Sequence, residues 1–266
     1  MLLHWKKGSF QIFAKQNLNK LKLSMAFTLA EVLITLTIIG VVSSIIIPTI
    51  KLKCQEAITI SKLSKVYAQF DSSFNSAVAQ FGPPNVWGLE ASYYDKEEKI
   101  TKTPGGEKFF SLLSSGLKAE KIDMRNETMP SHYMNHTTPN NVAEMSNFRL
   151  PDGTIIFHAW IQNKQCNHNT NGKGKNNQFL SSLCGDFKID LNGKRQPNML
   201  GIDQFSFRIS KRGIIPTGLP DDGRALETSC VAKEAAAYNG NGCTAYAITK
   251  KKMPWLYGKQ PSWSDK

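Results

Sequence analysis

The chain has 266 residues and a formal net charge of +12, from 33 lysines and arginines against 21 acidic residues. Five of those cations precede Phe27 with no acid among them, which leaves a thin surplus of +7 for everything that follows. A surplus so diluted lacks the clustered basic face of a nucleic-acid binder and argues against that class.

Residues 1–26 form a basic leader containing Lys6, Lys7, Lys15, Lys20 and Lys22. From Phe27 to Ile50 the chain then reads FTLAEVLITLTIIGVVSSIIIPTI, 24 residues and long enough for a hydrocarbon core that needs about 20. The run is too long for a cleaved secretory signal, and the small residue Ala26 precedes it instead of following it. One ionisable group lies inside, Glu31. A carboxylate costs about 2.5–3.5 kcal/mol to insert at a membrane's centre and less near an end, where Glu31 stands as the fifth residue of the run, and a residue kept at such a cost is a functional candidate. Lysines 51, 53, 62 and 65 follow the run about as densely as others precede it, so charge alone does not set the orientation.

Beyond the run, Ile60, Leu63, Val66, Tyr67, Phe70, Phe74, Ala77, Val78 and Phe81 recur in steps of three and four. That spacing predicts an amphipathic helix over 51–81, continuous with the apolar segment and roughly 80 Å long in all. Gly82-Pro83-Pro84 should end it, because proline has no amide to donate and restricts its predecessor. Within it, Gly40 and Pro48 predict a kink or a melted stretch.

Ala26-Phe27-Thr28-Leu29-Ala30-Glu31-Val32-Leu33-Ile34, behind a basic leader and ahead of an apolar helix with Pro48, resembles the processing and methylation motif of type IV prepilins and type II secretion pseudopilins. The resemblance covers about 60 residues, Lys20 to Phe81. It implies that a prepilin peptidase cuts between Ala26 and Phe27 and that the new Phe27 amine is methylated. Glu31 would pair with that amine, in its own chain or a neighbour's. It also implies a head outside the cytoplasm, other pilin or pseudopilin subunits and an inner-membrane assembly platform as partners, and passage from membrane lipid into a filament. Family members most often carry glycine where this chain has Ala26, which is still small enough for a tight protease site.

From residue 82 to 266 the pattern changes to short apolar runs broken by Gly, Asn, Pro and Asp, as in a globular head. Phe148 to Trp160 reads as a turn at Pro151-Asp152-Gly153 leading into a strand, Phe205–Ile209 as a second strand, and Ala245–Thr249 as a third. An antiparallel sheet packed on the amphipathic helix buries the stripe most economically, and the class is α+β. Cys166, Cys184, Cys230 and Cys243 allow three pairings; neighbouring pairs close the shortest loops and are the expectation, in an oxidising compartment. Cys166 and His168 with Cys184 also suggest zinc, but a fourth ligand is missing. Asp186, Asp190, Asn192 and Asp203 gather oxygen atoms suited to calcium, although Lys194 stands where an EF-hand needs another oxygen; an Asp-x-Asn-Gly turn between strands needs no ion. The run Lys250 to Lys252 reads as a solvated loop.

No phosphate loop, nucleophile elbow or zinc-protease helix occurs, so the chain reads as no enzyme. Three functions stay open: a structural filament subunit, a permanently anchored surface binding protein, and a tip adhesin or DNA-capturing minor pilin.

Overall fold

The computed structural model describes residues 28–122, 129–138, 147–170, 177–232 and 238–265. The chain divides into two compact units, Met1–Pro48 and Thr49–Lys266. Helix α1 runs from Leu29 to Phe81 and crosses that division. It passes unbroken through Gly40 and Pro48, so the melted stretch expected there does not occur. Proline removes one donor but keeps a helical φ, and a single lost hydrogen bond leaves the neighbouring turns intact.

In the first unit the large apolar side chains of α1 are uncovered. Leu33, Ile34, Leu36, Ile38, Ile39, Ile45 and Ile47 are all exposed. Among the described residues, α1 is the one helix long and apolar enough to cross a membrane.

In the second unit the same helix becomes a core element. Ile60, Leu63, Val66, Phe70, Phe74 and Ala77 are buried, whereas Phe81, the last member of the sequence stripe, is exposed. Gly82 then adopts φ +75° and its N–H bonds the Val78 carbonyl at 2.9 Å, a left-handed stop that favours glycine. A small hairpin follows, β1 (Tyr93–Asp95) with β2 (Ile100–Lys102), then helix α2 (Pro104–Leu117). The main sheet has six antiparallel strands in chain order: β3 (Glu120–Ile122), β4 (Asn147–Arg149), β5 (Ile155–Ile161), β6 (Leu183–Asp190), β7 (Gln204–Ser210) and β8 (Gly213–Pro216). The class is α+β, a helix packed on an antiparallel sheet.

The core is aromatic where helix meets sheet. Phe70 of α1 lies edge-on to Phe187 of β6 at 5.1 Å and to Phe207 of β7 at 5.8 Å, and those two rings stack at 5.3 Å. Phe110 of α2 closes the cluster against Phe187 at 5.0 Å. α2 sits hard against β5: a Cβ on Gly106 would fall 2.1 Å from the Ala159 carbonyl oxygen, so only glycine permits this approach.

Disulfides join Cys166 to Cys184 and Cys230 to Cys243, the two shortest loops of the three arrangements. Bonded to each other, Cys166 and Cys184 offer no thiolate to zinc. After a short helix α3 (Leu226–Ser229), the segment read as a third strand is instead helix α4 (Thr244–Lys250). Five residues of alternating alanine, tyrosine and isoleucine fit either period, and alanine's helical preference together with burial of Ala245, Tyr246 and Ala247 decides it. The C-terminal turn is tied to α1 by Glu56, whose carboxylate accepts from the Met253 N–H at 2.6 Å and the Tyr257 hydroxyl at 2.8 Å.

Candidate functional site

Ala26 and Phe27, the residues of the expected cut and methylation, lie outside the described residues. The description begins at Thr28, one residue before α1. There Thr28 and Glu31 bond reciprocally. Oε2 of Glu31 accepts from the Thr28 N–H and from the Thr28 hydroxyl, both at 2.8 Å, while the Glu31 N–H donates to Thr28 Oγ1 at 3.2 Å. The Thr28 carbonyl also accepts the Val32 N–H at 3.2 Å. Thr-x-x-Glu at a helix start is a capping box, which satisfies donors that have no partner inside the helix. Glu31 therefore has a local occupation at the head of an otherwise apolar segment.

The four residues read as calcium ligands do not form one set. Asp190 and Asp203 flank the turn between β6 and β7. Asp190 Oδ1 accepts from the Asn192 N–H at 3.0 Å, and Oδ2 from Gln204 Nε2 at 2.9 Å. Asp203 accepts from Asn192 Nδ2 at 3.1 Å, from the Asn198 N–H at 2.9 Å and from the Met199 N–H at 2.7 Å. Burial pushes the Asp190 carboxyl up to about 7 and raises that of Asp203 as well. Asp186, four residues from Asp190, stands about 13 Å away along the same strand. It pairs with Arg224 at 3.0 Å and lies 3.8 Å from Arg208, which in turn holds Asp222 at 2.9 Å. Among the described residues no three His, Cys, Asp or Glu side chains are placed to hold a metal ion.

Sequence reading missed the ionic layer to which Asp186 belongs. Lys188 shares that face of β6, opposite Phe157 of β5 and Ser206 of β7. It is only 5% exposed and has no hydrogen-bond or ion-pair partner among the described residues. Burial holds its ammonium down at about 8, with Asp186 opposing that shift. His158 sits at the bulge in β5 with φ +53°, its Nδ1 buried without a partner. Burial and the Lys188 charge depress its imidazole to about 3, so it stays neutral. The alternation Asp-Phe-Lys-Ile-Asp over 186–190 signals a strand, but the partners Arg208 and Arg224 come from distant parts of the chain.

In the lysine run at 250–252, Lys250 is the last residue of α4 and Lys251 and Lys252 are exposed. Lys250 donates to the Asp265 carbonyl, and Lys251 donates to Ser64 Oγ of α1 at 2.6 Å.

No family model matches the chain, and neither a curated protein nor a solved structure matches it.

Proposed function

We propose that this chain is a prepilin-like structural subunit. It is held in the inner membrane by residues 27–50, cut before Phe27, and assembled through that helix into a type IV pilus or a type II secretion pseudopilus. The observation that carries the reading is Glu31 at the head of an uncovered apolar helix. Thr28 N lies 2.8 Å from the Glu31 carboxylate, and Phe27 is the residue joined to that nitrogen in the sequence. Cleavage would turn the Phe27 nitrogen from an amide into a cation, and Glu31 would supply its counter-ion. In a low-dielectric filament core such a pair is strongly favoured over an isolated carboxylate. Two disulfides in the head support an oxidising compartment outside the cytoplasm. A helix laid on an antiparallel sheet supports a pilin-like head.

The test is the intact mass and N-terminus of the protein recovered from membranes of cells with and without a prepilin peptidase. A chain beginning at N-methylated Phe27 only when the peptidase is present is expected. A chain that keeps its leader in both would overturn the proposal and leave a permanently anchored binding protein.

A further inference from the structure

The second unit carries a cleft of about 870 Å³ whose chemistry the filament reading does not use. One wall is a face of α1 with Lys51, Cys54 and Gln55; the other is the turn after β6, with Asn192, Arg195 and Gln196. Three cations face two carboxylates here, and both carboxylates are already engaged. Asp152 lies 3.7 Å from Lys62, whose ammonium also donates to the Asp152 and Leu191 carbonyls. Asp203 is held by the three neutral N–H donors described above, which leave its charge in place, so three cations against two carboxylates give the cleft a surplus of one positive charge. Lys51 and Arg195 are exposed, and neither has an ion-pair partner among the described residues. With the amides of Gln55 and Gln196, the cleft offers donors and uncompensated positive charge, the requirements of a phosphate group.

Connectivity chooses the source of that phosphate. Lys51 is bonded to Ile50, the last residue of the apolar run, so their Cα atoms are 3.8 Å apart whatever the helix does. If the run lies in a bilayer, as the proposed function requires, the wall of this cleft begins at the headgroup layer. A soluble anion is met there rarely and a lipid phosphate constantly. We infer that this cleft takes the phosphate of an anionic membrane lipid between Lys51 and Arg195. The inference rests on the membrane reading of residues 27–50. It gives the second unit a lipid contact that is lost on leaving the membrane, so removing the two cations should ease extraction.

Cys54 is an exposed free thiol in the cleft wall and reports occupancy directly. The full chain is placed in nanodiscs of phosphatidylcholine, or of equal parts phosphatidylcholine and phosphatidylglycerol, and the rate of maleimide addition to Cys54 is followed. One cation near an anionic surface is worth about fivefold in affinity, so with two engaged we expect alkylation in the phosphatidylglycerol discs to slow by about fivefold or more. In the double variant Lys51→Gln/Arg195→Gln the slowing should vanish. Both side chains are exposed and unpaired, so the variant keeps its fold, checked by its thermal midpoint. Equal slowing in the double variant would assign the effect to general surface potential and overturn the inference, as would no slowing in the original chain. Equal protection by inorganic phosphate in neutral detergent would overturn the lipid assignment in favour of a free-anion site. A chain that washes out of both disc types in alkaline carbonate would overturn the membrane reading itself, an outcome distinct from a chain retained with Cys54 unprotected.

Discussion

Replacing Lys188 with methionine should stabilise the protein, and the gain should depend on pH in a way only this residue explains. Lys188 is 5% exposed as a residue, is paired in the sheet with Phe157 and Ser206, and has no hydrogen-bond or ion-pair partner among the described residues. Burial lowers its native value from 10.5 to about 8. At 1.36 kcal/mol per unit, that difference bounds the cost of keeping it charged at about 3 kcal/mol. Between pH 8 and 10.5 the unfolded chain holds a proton that the native chain has released, so stability rises with pH across this window. Methionine matches the length of the stem and removes the charge, while Asp186 keeps Arg224 at 3.0 Å. Lys188→Met should therefore gain about 1–3 kcal/mol at pH 7 in guanidinium unfolding of the full chain in detergent. The gap to the original protein should close as pH approaches 10.5. A variant less stable at pH 7, or a difference constant across the window, would refute the reading of Lys188 as an unpartnered lysine of the core.

Phe70→Ala should cost about 3–5 kcal/mol in the same assay, since the ring is fully buried against Phe187 and Phe207. Ile58→Ala, one side chain away from that stripe and 68% exposed, should change stability by less than about 0.5 kcal/mol. Asp190 gives the opposite pH sign to Lys188: burial raises it to about 7, so the native state holds the extra proton between pH 3.8 and 7 and stability falls as pH rises through that range. Asp190→Asn should flatten this slope, read as the unfolding midpoint at pH 5 and 7. Glu31→Gln keeps an amide oxygen able to cap the helix but removes the charge, so filament yield should fall as far as in Glu31→Leu. Assembly of the glutamine variant at the original level would reduce Glu31 to a helix cap.

The long helix was legible because its evidence is local. Apolar residues from Ile60 to Ala77 keep one period, and Gly82-Pro83-Pro84 stops it. The turn at 151–153 and strands β5 and β7 were legible for the same reason. α2 was not: Phe109, Phe110, Leu113 and Leu117 do share a face, but Gly105 and Gly106 open the helix and argue against one. Those glycines serve the close approach to Ala159, a contact that no local pattern records. Asp186 and Asp190 were read as ligands because both are acidic and near a turn. What separates them is tertiary. One meets Arg224, 38 residues away, and the other meets Gln204. A carboxylate's role is set by the donors that reach it, and these arrive from other strands and loops.

Under the proposed function, Glu31 would serve two stages in succession. Before processing, residue 27 supplies only an amide, and the donors within reach are the N–H and hydroxyl of Thr28, which bond it at 2.8 Å. That cap lowers the cost of placing a carboxylate in an apolar segment by giving it hydrogen bonds that need no water. On that proposal, cleavage would then add a cation at residue 27, the neighbour of Thr28 in the sequence. Thr28 already holds the Glu31 side chain, so such a pair would form with less loss of side-chain freedom, a costly part of building an ion pair from two mobile groups. Thr28 would then be the residue that holds Glu31 turned back toward the helix start. On this argument Thr28→Val, which keeps the shape and loses the hydroxyl, should slow assembly while Glu31→Leu stops it.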